Sequence, residues 1–173
     1  MQQEPLPQVT DAVTSAPAAA AASGESLRLP LRILAADDVR TNREWIRQLA
    51  GHFGYEATIV VNGAEVLAAL GRNSFDLILL DVQMPVMDGF MATREIRRRF
   101  PSECQPAIIA FTANTLPGDR ELCLAAGMDD YLSKPVDPAE MSAKLERWNA
   151  VLLKEGRGSF VPFCENCSNL QPA

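Results

Sequence analysis

Five short strand-like runs recur through the middle of this chain: LRILAA (31–36), ATIVV (57–61), DLILL (76–80), AIIAFT (107–112) and DYLSK (130–134). The segments between them have a different period. VRTNREWIRQLAGHF (39–53) carries Asn42, Ile46, Leu49 and Phe53 three or four residues apart, the spacing of one helix face. AEVLAALGR (64–72), GFMATREIRRRF (89–100) and PGDRELCLAAG (117–127) also read as helices, with Gly71 and Gly127 where helix-terminating glycines belong. DPAEMSAKLERWNAVLL (137–153) places Met141, Leu145, Trp148 and Leu152 on one stripe, with Asp137 as N-cap and Pro138 in the first helical position. Pro101 and Pro106 bracket a predicted loop. Near-continuous apolar strands alternating with amphipathic helices predict an α/β fold, a parallel sheet covered on both faces and wound with right-handed crossovers.

The chain has 173 residues, enough for one domain and its tails. Residues 1–29 are rich in Ala, Pro, Ser and Gln and hold almost no large apolar side chains, so they read as a disordered tail or linker. The ordered domain is expected over 30–153, and 154–173 lacks periodicity and reads as a loosely ordered tail. A formal net charge of −6 and a pI near 4.8 argue against broad, non-specific nucleic-acid binding. No apolar run approaches the roughly 18 residues that cross a bilayer, and the first residues lack the basic start of an export signal. A cytoplasmic location without membrane insertion is the expectation. The four cysteines, Cys104, Cys123, Cys164 and Cys167, are too scattered for a disulfide framework and read as reduced thiols. Cys123 is expected in the core. Cys164 and Cys167 form a lone C-x-x-C without the second pair that zinc needs.

In an open α/β sheet, ligands bind outside the carboxyl ends of the strands. Asp37 and Asp38 follow the first strand, Asp81 follows the third, the fourth ends on Thr112, and the fifth ends on Lys134. Each has a plain structural reading. Asp37 or Asp38 could cap the next helix, Asp81 could open a turn before Pro85, Thr112 could cap the following segment, and Lys134 could be a solvated surface charge. Together they ask for more. Three converging carboxylates repel one another and raise their own pKa values unless a cation compensates them. A hard ion such as Mg2+ takes oxygen ligands, often one or two carboxylates plus a phosphate, and a neighbouring lysine suits a phosphoryl group.

ILAADD, LILLDVQMPVMDG, AFTAN and YLSKPV resemble, in order and spacing, the receiver domain of two-component response regulators, over roughly Leu31 to Leu153. Asn42-Arg43 and the wording DVQMPVMDG resemble the receivers of hybrid sensor histidine kinases in particular. The resemblance implies a flavodoxin-like doubly wound sheet of order 2-1-3-4-5. It implies that Asp81 is the phosphoacceptor, taking a phosphoryl group from a phosphohistidine. It further implies that Asp37, Asp38, Asp81 and the backbone carbonyl of Gln83 hold Mg2+, that Lys134 pairs with the carboxylate and then the phosphoryl group, and that Thr112 moves to bond that group while Tyr131 turns inward as an aromatic switch. Pro135 stands where receivers commonly hold a cis peptide. The implied partners are a histidine kinase or histidine phosphotransfer domain as donor and an output partner on the face made by the fourth helix, fifth strand and fifth helix.

Other features admit two readings. Trp45, on the helix that in the family often touches the donor, either packs at the helix edge or contacts a histidine phosphotransfer domain. His52, the single histidine, lacks the surroundings of a kinase phosphorylation helix, and no ATP-binding segment is visible, so the chain is not expected to be a kinase. Arg97, Arg98 and Arg99 read as a solvated helix face, with docking as the lesser reading. Two other functions are weighed. A haloacid-dehalogenase-type hydrolase also uses an aspartate nucleophile, but it wants an acid two residues later, where this chain has Gln83. A degenerate receiver used only for interaction does not fit the complete set of acids, Thr112 and Lys134. About twenty residues follow the last helix, so the expected protein is a stand-alone receiver or the receiver end of a larger hybrid kinase.

Overall fold

The computed structural model describes residues 31–113 and 118–155. Elements alternate as β1 (Ile33–Ala36), α1 (Arg40–His52), β2 (Ala57–Val60), α2 (Gly63–Leu70), β3 (Leu77–Asp81), α3 (Gly89–Arg99), β4 (Ala107–Thr112), α4 (Asp119–Ala125), β5 (Asp130–Ser133) and α5 (Pro138–Lys154). The strands form one five-stranded parallel sheet in the order β2-β1-β3-β4-β5, as the resemblance implied. The expected tails, 1–29 and most of 154–173 with Cys164 and Cys167, lie outside the described residues.

The central strands are buried on both faces, which is why they read as unbroken apolar runs. Period two sorts their side chains. Leu34, Ala36, Ile78, Leu80, Ile108 and Ala110 pack with Val66, Ala92, Ile96 and Cys123 of α2, α3 and α4. Ile33, Ala35, Leu77, Leu79, Ile109, Phe111 and Leu132 pack with Ile46 and Ala50 of α1 and Met141, Leu145 and Leu152 of α5. The same parity carries Asp37, Asp81 and Lys134 toward the α1/α5 face and leaves Thr112 on the other.

The amino edge of the sheet is tied by charge pairs that are satisfied in place. Arg32 makes a bidentate pair with the buried Asp76, Nε to Oδ2 at 3.0 Å and a terminal guanidinium nitrogen to Oδ1 at 2.7 Å, and the Arg32 backbone N–H donates to Oδ2 at 2.8 Å. Arg97 corrects the expectation of a wholly solvated arginine run. It reaches out of α3 to the carbonyls of Gly127 (2.8 Å) and Pro106 (3.0 Å) and to Asp129 (2.6 Å), while Arg98 and Arg99 pair with Glu95 on the helix surface. The segment between Pro101 and Pro106 is a short 3-10 turn, Ser102–Cys104, rather than an irregular loop.

Both predicted helix signals on α5 are present: Asp137 Oδ1 accepts the Ala139 N–H, and Pro138 opens the helix. Trp148 is half-buried and gives more than packing, since its indole N–H donates to Asp130 Oδ2 at 3.2 Å. Asp130 also accepts from Lys144 at 2.5 Å and from the Tyr131 N–H at 2.8 Å. Burial works against ionisation of Asp130, but Lys144, the Tyr131 N–H and the Trp148 indole outweigh it and hold the carboxyl below its ordinary value of 3.8. A carboxyl depressed by folding stabilises the fold above its unfolded pKa and loses that contribution as pH falls toward the folded value. The urea midpoint of the protein should therefore drop as pH falls below about 4, and Asp130→Asn should lower the midpoint at pH 7 while making that acid drop shallower.

Candidate active site at the carboxyl ends of the strands

Asp37 is the residue after β1, and it is fully buried. It is not the helix cap: Val39 holds the N-cap position without a side-chain bond, and Asp37 Oδ1 accepts the Val39 N–H at 2.8 Å. Asn42, one turn into α1, donates its amide to both Asp37 oxygens at 3.1 and 3.0 Å. Arg43 donates to the backbone carbonyls of Asp37 (2.8 Å) and Asp38 (2.7 Å). Asn42 thus faces the site rather than the helix core stripe, and with Arg43 it fixes the loop that carries both acids. Asp38 is exposed.

Asp81 is the last residue of β3, pushed out to the rim by four fully buried apolar residues behind it. Its Oδ1 accepts the Gln83 N–H at 3.3 Å, so the turn reading holds as far as it goes. The chain then turns tightly. Val86 has φ 70°, rare for a β-branched residue, and the Met87 N–H donates to the Pro85 carbonyl at 2.8 Å. Asp88 caps α3 by accepting the Met91 N–H at 2.7 Å. Gly89 has a reason that the sequence did not disclose: a Cβ there would stand 2.3 Å from the Asp81 carbonyl oxygen. The bare backbone lets α3 start directly against the end of β3.

Lys134 follows β5 on a cis Lys134–Pro135 bond. Its Nζ lies 2.7 Å from Asp37 Oδ2 and 2.7 Å from Asp81 Oδ2, with only 16% of its side chain exposed. The solvated-lysine reading is therefore excluded. Phe111, which the sequence reading passed over, lies beneath the ammonium, with Nζ 4.7 Å from the ring centroid. Trp45 stacks with the Phe111 ring, with centroids 6.4 Å apart and planes 28° apart, so it packs at the edge of the helix as the plainer reading had it. The signal for Phe111 was present but faint: it is one residue before Thr112 and in register with Asp81.

Thr112 is buried at the end of β4 and, with Asp38, Gln83, Met84 and Leu122, lines an open cleft of about 590 Å³ beside Asp81. Tyr131 is half-buried against the α2/α3/α4 side of the core. His52 is exposed at the end of α1, away from the acids. One ligand oxygen from each of Asp37, Asp38 and Asp81 can be drawn from a set lying within 4.8 Å of one another. These are hard donors, two buried and one open to water, and they fit a divalent cation that keeps part of its hydration. Burial pushes the Asp81 carboxyl above the ordinary range, and the charge of Asp37 adds to this; the Lys134 pair and the Gln83 N–H only partly offset it.

The model of the response regulator receiver domain matches residues 33–146. The chain belongs to this family, the receiver domain of two-component systems. It is 38% identical over 122 residues to the hybrid signal transduction histidine kinase L of Dictyostelium discoideum, covering 68% of this chain and 7% of that protein. It is 34% identical over 125 residues to the aerobic respiration control sensor protein ArcB of Escherichia coli, covering 72% of this chain and 16% of that one. The chain thus spans a small fraction of the length of these relatives. Among solved structures it is similar to the receiver domain of the sensor histidine kinase PA1611 of Pseudomonas aeruginosa, at 42% identity and TM-score 0.64, covering 70% of this chain and 98% of that one. That receiver was crystallised with a magnesium ion coordinated in its active site cleft.

A carboxyl raised by folding is one whose ionised form costs stability at neutral pH. Removing its charge should relieve that cost, because Lys134 keeps its bond to Asp37. Asp81→Asn should accordingly unfold at higher urea than the unaltered protein in metal-free buffer at pH 7. A lower midpoint would show that the Lys134 pair, not burial and repulsion, dominates at this position.

Proposed function

We propose that this receiver accepts a phosphoryl group from a phosphohistidine onto Asp81, in a Mg2+-dependent phosphorelay. The observation that carries the reading is the pairing of Asp81 with Lys134 beside two further carboxylates at the rim. An Asp81 oxygen attacks phosphorus in line, the O–P bond forms as the N–P bond to the donor imidazole breaks, and the imidazole leaves with a proton. Lys134 exchanges part of its contact with the Asp81 carboxylate for the incoming phosphoryl oxygens. Asn42 and Arg43 hold the Asp37–Asp38 loop in place while charge builds up nearby. Asp37, Asp38, Asp81 and the Gln83 carbonyl would hold the magnesium ion, which when bound supplies neutralisation of the phosphoryl oxygens.

The new charge would favour one position of the Thr112 hydroxyl, and Tyr131 would follow it, altering the face formed by α4, β5 and α5. A histidine kinase or histidine phosphotransfer domain is the proposed donor, and the output partner would read that face. The domain itself is proposed to span 30–153 between tails, to lie in the cytoplasm, and to be either free-standing or one end of a hybrid kinase. The segment described contains no kinase core.

Incubation with a histidine-phosphorylated phosphotransfer domain and Mg2+ should add one phosphoryl group, released by hydroxylamine and by alkali as an acyl phosphate is. Asp81→Asn should reduce the label to background, and chelation of the metal should do the same to the unaltered protein. Undiminished labelling of Asp81→Asn would sink the assignment. Steady release of inorganic phosphate from small phosphoesters would favour a hydrolase instead.

A further inference from the structure

Phe111 is 3% exposed, and its register partners are Asp81 on β3 and Leu132 on β5. Strand parity places its ring on the same side of the sheet as Asp37, Asp81 and Lys134. The ammonium stands 4.7 Å from the ring centroid, inside the roughly 6 Å range in which a ring face attracts a cation. Trp45 stacks with the same ring, the centroids 6.4 Å apart and the planes 28° apart. Lys134 therefore meets carboxylates at 2.7 Å on its bonding side and an aromatic face behind it.

A lysine has four rotatable bonds and a strongly hydrated head, so fixing its ammonium in one place at the rim costs entropy and hydration. A π face adds attraction without adding a hydrogen-bond acceptor that would compete with Asp81 or a phosphoryl oxygen. An aliphatic residue would fill the same volume without that attraction. We propose that Phe111 is a positioning residue for Lys134: its ring face holds the ammonium at the rim, ready for the phosphoryl group. The functional half of this inference rests on the proposed phosphotransfer to Asp81; the geometric half does not.

The test uses the full chain with 4-fluoro-, 3,5-difluoro- and 3,4,5-trifluorophenylalanine incorporated at position 111, alongside Phe111→Leu. Fluorine drains the ring face stepwise while hardly changing its size, so a purely structural role would not follow the series. Phosphorylation by phosphoramidate with Mg2+ should slow step by step along it, reaching roughly fivefold for the trifluoro ring and for Phe111→Leu. Lys134 ε-methylene proton resonances should be shifted upfield by the ring in the unaltered protein and should relax toward random-coil values in Phe111→Leu. Rates within twofold across the fluorinated series, or an unshifted Lys134 ε-methylene in the unaltered protein, would overturn the proposal. If no acyl phosphate forms even on the unaltered chain, the phosphotransfer reading fails, and the Lys134 resonances still decide whether the ring holds the ammonium.

Discussion

Lys134 Nζ lies 2.7 Å from one carboxylate of the first strand's end and 2.7 Å from one of the third. Without it, Asp37 and Asp81 would face each other nearly buried, and one would have to take a proton or the loops would have to part. The rest of the rim is arranged around that ammonium. Asn42 orients Asp37 toward it, Phe111 backs it, and Gly89 keeps α3 close enough to hold the end of β3 in line. Three carboxylates against one bonded lysine leave two negative charges to be met from outside. That deficit suits a hard divalent cation, and under the proposed function the cation would in turn make room for a phosphoryl group.

The two edges of the sheet handle acids in opposite ways. At the amino edge, Asp76, Asp129 and Asp130 each have a cationic partner and a backbone N–H in place. These clasps tie α3 to β4 and β5, and β1 to β3. At the carboxyl edge the acids outnumber their partners. Burial, with the charge of Asp37, pushes the Asp81 carboxyl above its ordinary range, and the Lys134 pair only partly offsets it.

The sheet was legible in the sequence because parallel strands buried on both faces have no polar side to interrupt them: LILL and AIIAF announce their own burial. The helices followed from Met141, Leu145 and Leu152 or from Ile46 at a period near 3.6, and from caps such as Asp137–Pro138. Asp37, Asp38, Asp81 and Lys134 were legible because strand ends share one edge and a charge after an apolar run has nowhere else to lie. What escaped the reading depended on contacts between elements. Phe111 looked like one more core residue, since nothing local says which side chain crosses above it. Asn42 kept the helix period yet bonds out of it. Arg97 was indistinguishable from Arg98 by sequence, although one pins two loops and the other lies on the surface.

Borohydride reduction of the phosphorylated protein, followed by tandem mass spectrometry of its peptides, tests the central assignment most directly. It converts an aspartyl phosphate to homoserine at the residue that carried it. After transfer from a histidine-phosphorylated donor, homoserine should appear at position 81 and nowhere else. Homoserine at 37 or 38, or phosphate retained on His52, would contradict the account of this site.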